Sequence, residues 1–342
     1  MIKVLAFPAF KNKDSNPYNY LLYSGINNYD VLVKEFSFSK CIMLDYDLIH
    51  IHWPELYLSS NYLMKAIVYS FLLLFSLSFA KLFGKKIVWT VHNIKPHKIK
   101  YKILNKIYWL LFTPMVDAII SLSKANEIIA NKLPFKEKIR RKVIYHGLYN
   151  SIYENSISKY ESKKILSIPG DKKVCLFIGQ IKPYKNIELL IELFNIEPIL
   201  KNDFLIIAGR FESTKYYEEV ISLVKSKNII IHNKFIPNIE LQNYFNASNV
   251  CILPFNYIFN SGSALLPASF NTSVIIPFSE NFYEYQALLG KDKMFIYNNK
   301  LTAEIISAHL CEEKNIPKPI STVLSWPQIQ NNLSEFYKEI LA

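Results

Sequence analysis

Side chains able to do chemistry stand in this sequence directly after short apolar runs. LIHIHW (48–53) leads into Pro54 and Glu55, and KIVWTV (86–91) leads into His92, Asn93, Pro96 and His97. A carboxylate and imidazoles at such places can move a proton. His92 closes an apolar run and is followed at once by Asn, a pattern that points at a cleft, whereas alternation puts His50 and His52 on one face and makes at least one of them a satisfied core histidine. KVCLFIG (173–179) runs into Gln180, Tyr184 and Lys185, and the helical pattern IELLIELF follows. A lysine beside the free amides of a helix N-terminus is placed to meet a phosphate. FLIIAG (204–209) is followed by Arg210, the only arginine of the second half, and NVCILPF (249–255) leads to Asn260, Ser261, Gly262 and Ser263 before ALLPASF. Glycine permits close backbone approach there, and the serines offer hydroxyls and amides. Taken singly, these three loops read as a solvated lysine, a surface ion pair and a helix cap. On successive strands of one domain they suggest a diphosphate.

The elements that must position these groups follow from the apolar runs themselves. The first half offers IKVLAF (2–7), LIHIHW (48–53), KIVWTVH (86–92), AIISLS (118–123) and KVIYHG (142–147). The second offers KVCLFIG (173–179), FLIIAG (204–209), NIIIHN (228–233), NVCILP (249–254) and SVIIPF (273–278). Longer amphipathic segments separate them, which is the alternation of a parallel sheet with helices on both faces, and ligands of such sheets bind at the carboxyl ends of the strands. The length of 342 residues suits about two domains. A weakly periodic polar stretch at 150–173 reads as the linker. The domains are therefore expected at 1–150 and 165–324, with a C-terminal helix at about 325–342 packing back on the first.

Composition excludes several classes. With 51% hydrophobic and 20% charged residues the chain is neither disordered nor low-complexity. Cys41, Cys175, Cys251 and Cys311 are widely separated and show no metal spacing, so no metal is expected and the thiols read as reduced. MIKVLAFPAF is too little for a signal peptide and suits a buried strand, which together with the thiols indicates the cytoplasm.

The net charge of +12 is unevenly placed: residues 1–150 carry 21 Lys and Arg against 9 Asp and Glu, while the rest carry 19 against 19. No acidic residue lies between Glu55 and Asp117, where nine lysines occur (65, 81, 85, 86, 95, 98, 100, 102 and 106). Nucleic acid is disfavoured as the acidic partner, because only three arginines are present and arginine does most bidentate reading. An anionic membrane surface fits lysines better. The uncharged segment Ala66–Ala80 would span about 22 Å as a helix, short of a bilayer core, and reads as a core helix or as one dipping into the membrane interface.

GQIKPYKNIELLIELF, LIIAGR, FIPNIELQNYFNASNVCILPF and NSGSALLPASFNTSVIIP resemble the donor half of GT-B glycosyltransferases. DLIHIHWPE, WTVHNIKPH and YHG resemble the acceptor half of bacterial members acting on surface polysaccharides, either GT4-like enzymes or xanthan-type glucuronosyltransferases. The resemblance covers nearly the whole chain. It implies an α/β GT-B fold, two doubly wound Rossmann-like domains facing a central cleft. It also implies transfer of a sugar from a UDP-sugar or GDP-sugar to a lipid-linked glycan in capsule, O-antigen or exopolysaccharide assembly, at the inner face of the plasma membrane. On this carry-over Lys185 holds the diphosphate with Gln180, Tyr184 and Arg210. Asn260, Ser261, Gly262, Ser263 and Leu265 line its oxygens, and Phe235, Ile236 and Asn238 the base. Acceptor contacts are expected from Asn16, Tyr18, Asn19, Trp53, Asn93 and His146. The catalytic candidates are Glu55, His92 and Asp14, with no metal or cofactor. The sequence departs from the family in having Gln180 where an arginine is common, and Phe259 and Pro267 where two glutamates are common, which leaves inversion or retention open. The alternatives are a non-catalytic nucleotide or sugar binder and a nucleotide-sugar epimerase.

Overall fold

Strands in the middle of each sheet are buried along their whole length: all four residues of Leu48–Ile51 and all five of Val174–Ile178 lie in the core. That is why they read as continuous apolar runs and not as alternating ones. The computed structural model describes residues 1–14, 16–92, 100–130, 135, 139–256, 262–311 and 321–342. In chain order the first elements are β1 (Ile2–Phe7), α1 (Tyr18–Tyr23), β2 (Val31–Glu35), α2 (Phe38–Ile42), β3 (Leu48–Ile51), α3 (Leu63–Leu82), β4 (Lys86–Val91), α4 (Lys102–Phe112), β5 (Ala118–Ser121), α5 (Lys124–Ala130) and β6 (Arg140–Val143). Then come α6 (Lys159–Ile165), β7 (Val174–Ile178), α7 (Ile187–Ile196), β8 (Phe204–Ala208), α8 (Thr214–Ile221), β9 (Ile229–His232), α9 (Leu241–Ala247), β10 (Val250–Ile252), α10 (Gly262–Ser269), β11 (Ser273–Pro277), α11 (Glu280–Leu289), β12 (Met294–Tyr297), α12 (Ala303–Cys311) and α13 (Trp326–Leu341).

The chain divides into two compact units, one of Met1–Gly147 with Thr322–Ala342 and one of Leu148–Ser321. Each holds a six-stranded sheet, in the order β2-β1-β3-β4-β5-β6 and β12-β11-β10-β7-β8-β9 respectively, and every pairing is parallel. Strand order reverses between β1 and β3 in the first unit and between β7 and β10 in the second. Loops leaving adjacent strands diverge at these points and open a crevice at the carboxyl ends.

Two strands lie outside the apolar runs read from the sequence. β2 (VLVKE) is largely half-buried and charged at one end, and β12 (MFIY) is a run of only four apolar residues, so neither stands out as a long apolar run. The final strand of the first unit begins at Arg140, two residues earlier than its apolar run, because an edge strand needs only one partner and tolerates exposed arginines. The polar stretch 150–173 is not a bare linker. It folds in the second unit as α6, opened by a reciprocal cap between Ser158 and Glu161, and Lys163 is buried with its ammonium on the carbonyls of Gly170 and Lys172.

The C-terminal helix α13 belongs to the first unit. Trp326, Ile329, Leu333, Phe336, Tyr337 and Ile340 form its buried stripe, Gln330 donates to the Leu21 carbonyl at 2.8 Å, and Ser334 donates to that of Tyr29 at 2.8 Å.

The adjacent strands β7 and β8 are each followed at once by glycine. Gly179 and Gly209 have φ of +135° and +148°, and a Cβ on Gly209 would stand 1.8 Å from the Gly179 carbonyl oxygen. Only glycine lets these backbones approach so closely with that conformation. Gly209→Ala should destabilise the second unit by about 3 kcal/mol or more, read as a lower melting temperature with the first unit's transition unchanged.

Candidate functional site

In the second unit the chemistry gathers where β7 and β10 part. Beyond Gly179 the chain makes a 3-10 turn, Pro183–Lys185, and Asn186 in the left-handed region starts α7 with no side-chain cap on its first amides. The Asn256 amide, after β10, donates to the Tyr184 carbonyl at 3.0 Å, which ties the two loops together. Lys185 is 8% exposed and its Nζ sits 3.8 Å from the centroid of Phe255 and 5.4 Å from that of Tyr184. Burial is the main cause, and nearby Lys182 a lesser one, of a pKa pushed down to about 8. Among the described residues no carboxylate pairs with this ammonium, so it is a buried cation held by rings and poised for an anion. A Cβ at Gly179 would meet nothing within 4 Å, which leaves room for close approach to the β7 backbone.

The other donor-side candidates fall on neighbouring loops at the same carboxyl edge. Gln180 and Arg210 are exposed, and the Ile181 amide donates to the Arg210 carbonyl at 2.9 Å. After β9, Phe235 (66% exposed) and Asn238 are exposed, and Asn233 Oδ1 accepts from the Phe211 amide, fixing that loop to the one after β8. Ile236 and Leu265 are buried, the first to the same degree as Lys185. Gly262 and Ser263 open α10, which carries Pro267 within it, and Asn260 and Ser261 lie outside the described residues.

In the first unit four of the seven histidines meet. His50 Nε2 lies 2.7 Å from Thr90 Oγ1, and its Nδ1 lies 2.8 Å from the Tyr23 hydroxyl and 2.6 Å from that of Tyr337. The Tyr23 hydroxyl is also 2.5 Å from His52 Nε2, and His52 Nδ1 is 3.1 Å from His92 Nε2. His92 stacks on Trp53 with centroids 4.4 Å apart, and Tyr18 meets the rings of His92, His146 and Trp326. Burial holds His50 near pKa 3 and His146 near 4, and it pushes His52 and His92 well below the usual imidazole range, helped by their mutual proximity. The cluster is a neutral hydrogen-bonded relay at physiological pH.

Beside it, at the reversal point of the first sheet, a cavity of about 710 Å³ is lined by residues that include Lys11, Asn12, Asn16, Glu35, Trp53 and Tyr57. Its size suits a small ligand. The Glu35 carboxylate accepts the amides of Ala9, Phe10 and Lys11 at 2.8 to 3.2 Å and so shapes the rim loop. Asn16 and Trp53 are among the residues that line this cavity. Tyr18 and Asn19 do not reach it as surface groups: both are fully buried, and the Asn19 amide donates to the Pro8 carbonyl at 2.5 Å, so they hold the loop instead. His146 is buried with Nδ1 donating to the Gly147 carbonyl, and Asn93 lies outside the described residues. Glu55 is buried in the turn after β3, near Tyr108, and is not among the cavity's lining residues, whereas Asp14 is exposed between Asn12 and Asn16.

Tyr23 and Tyr337 escape a reading by strand ends because they lie on helices, Thr90 because it lies inside β4, and Glu35 because its strand β2 lies outside the apolar runs; Phe255 closes one of those runs. The repeated His at 50 and 52 was the available signal for the cluster, and the Phe two residues after Leu253 the signal for the lysine's ring.

Residues 158–300, all in the second unit, match the family model described as glycosyl transferases group 1. The chain is similar to GDP-mannose:glycolipid 4-beta-D-mannosyltransferase of Xanthomonas campestris, 24% identical over 348 residues that cover 99% of this chain and 93% of that protein. Among solved structures it is similar to sucrose-phosphate synthase from Thermosynechococcus elongatus (TM-score 0.70, 12% identity, 99% of each chain). It is also similar to HepE of Anabaena in complex with UDP and glucose (TM-score 0.66, 14% identity, 98% of this chain and 95% of that one).

The buried histidines set a pH dependence. Each ring binds a proton near pH 6.5 in the unfolded chain and only at lower pH in the fold, so the stability it contributes is complete above 6.5 and is lost as pH falls toward 4 and then 3. Denaturant midpoints of the first unit should therefore drop steadily between pH 7 and 4, and His50→Gln should flatten that slope while lowering the midpoint at pH 7.

Proposed function

We propose that the chain is a glycosyltransferase of the GT-B fold that moves a sugar from a nucleotide diphosphate sugar to a glycolipid acceptor. The donor is held by the second unit and the acceptor by the first. One observation carries the donor assignment: Lys185, an ammonium with no carboxylate partner among the described residues, buried against Phe255 at the reversal point of the second sheet, beside a helix start with no side-chain cap and an open Gly179. A buried cation gains most from an anion that replaces lost solvation, and a leaving diphosphate gathers charge as its bond to the sugar breaks. Arg210 and the backbone at 261–263 are assigned the remaining phosphate oxygens, and Phe235 and Asn238 the base. The reaction as proposed needs no metal: the C–O bond from the anomeric carbon to the diphosphate breaks, the acceptor oxygen bonds that carbon, and the acceptor's proton passes to a base.

That the related Xanthomonas protein is named for GDP-mannose and a glycolipid supports GDP-mannose as the first donor to test and a lipid-linked saccharide as acceptor. For the base we assign Asp14. Neither Asp14 nor Glu55 is among the lining residues of the first unit's cavity, but Asp14 is exposed between Asn12 and Asn16, which are, whereas Glu55 is buried and burial makes His92 a weak base. His92 and Trp53 then form one wall of the acceptor site, and the relay behind them fixes the ring. Surface-polysaccharide assembly is the setting we assign to this reaction.

Lys185→Ala should lower turnover by about 100- to 1000-fold and weaken nucleoside diphosphate binding. Unchanged rates would remove the donor assignment. Because the Lys185 ammonium titrates near 8 and only its charged form attracts phosphate, affinity for GDP or UDP should hold below pH 8 and fall by about tenfold per pH unit above it. Lys185→Arg should abolish that dependence in calorimetric titrations. Asp14→Asn should lower kcat by about 100-fold or more with donor binding intact, and a wild-type kcat would exclude it as the base.

A further inference from the structure

We infer that α3 and α4 together form a docking surface that lies in the headgroup boundary of an anionic lipid bilayer. In α3 only a narrow stripe, Ala66, Ser70, Leu73, Ser76, Leu77 and Ala80, is buried against the first unit's core. An ordinary surface helix is polar on its other side. This one is apolar there too: Met64, Val68, Phe71 (66% exposed), Phe75 and Leu82 (82% exposed) face outward. The neighbouring helix α4 buries Tyr108 and Phe112 and exposes Ile103 (78% exposed), Ile107, Leu110 and Leu111 beside Lys102 and Lys106. Aliphatic side chains flanked by lysines on one exposed helical face are the pattern of an interfacial helix.

Charge selects the occupant. No acidic residue occurs between Glu55 and Asp117, and Lys81 is the lysine of this surface that has a carboxylate partner among the described residues, Asp117, at 2.6 Å. Lys65, Lys102 and Lys106 remain exposed around the apolar face. A second copy of the chain meeting this face about a twofold axis would set lysines against lysines, whereas anionic headgroups satisfy them and lipid tails cover the apolar side chains. The helix does not cross the bilayer in this arrangement. Its 20 residues reach about 30 Å, enough for a hydrocarbon core, but spanning would strip Leu73, Leu77 and Ala80 from the core that also holds Trp89 and Phe112. It lies flat, its outward face in lipid and its inward stripe in protein.

The inference deepens the proposed function by stating how a soluble fold reaches a lipid-linked acceptor, and it rests on that reading only for its purpose. Its test needs no catalysis. The full chain should cosediment with vesicles of phosphatidylcholine containing phosphatidylglycerol, bind vesicles of phosphatidylcholine alone at least about tenfold more weakly, and release at high salt. Ile103→Asn with Leu110→Asn, and separately Lys102→Glu with Lys106→Glu, should each weaken partitioning by about tenfold or more while leaving the far-ultraviolet circular dichroism and GDP binding unchanged. Equal binding by wild type and both variants, or no binding by wild type, overturns the docking surface. A wild-type dimer that these substitutions convert to monomer also overturns it, in favour of a contact between copies. Absence of sugar transfer with vesicle binding intact counts against the proposed function alone.

Discussion

Parallel strands covered on both faces leave almost nowhere for polar chemistry except their carboxyl ends, and that constraint organises both units. Backbone groups inside each sheet are paired with neighbouring strands, and the side chains of β3, β5 and β7 are buried without exception. Where strand order reverses, loops separate and a buried polar group can face a cavity without breaking the ladder. Lys185 and the His50–His52–His92 series both stand at such ends.

The two units use this position differently. The second concentrates a positive charge with no carboxylate partner among the described residues: an ammonium over Phe255, a glycine-lined opening and a helix start with no side-chain cap. The first withholds charge, since three imidazoles, two tyrosine hydroxyls and the Thr90 hydroxyl hydrogen-bond one another, and burial favours the neutral rings. A diphosphate needs the former environment. A neutral saccharide with many hydroxyls is suited to the latter, where stacked rings and uncharged donors and acceptors predominate. The net charge of the first half therefore does not serve this pocket and is carried by an outer face, on which α3 and α4 leave apolar side chains among lysines.

The legibility of these features in the sequence differs for physical reasons. Runs such as KVCLFIG and FLIIAG announce buried parallel strands, and their terminal glycines announce a close backbone approach, because both are local demands of the chain. Lys185 was legible by its place before a helix. The half-buried β2 and the four-residue β12 were not, since a strand at a sheet's edge needs no long apolar run. Helical capping at Ser158 and Glu161 was present in the sequence but hidden by a polar surrounding that resembled a linker.

What the sequence determined alone was the class of fold, the strand ends that bear chemistry, and the separation of a basic first half from a neutral second. Apolar periodicity, glycine placement and charge are properties of neighbouring residues, and they survive without coordinates. Tertiary structure decided which polar groups act on one another. Tyr23, Thr90 and Tyr337 join His50 from three elements, the last 287 positions away, and Phe255 reaches Lys185 across the reversal point. It also decided that Tyr18, Asn19, Ile236 and Leu265 are buried, because burial depends on the neighbours that the fold brings and not on residue type.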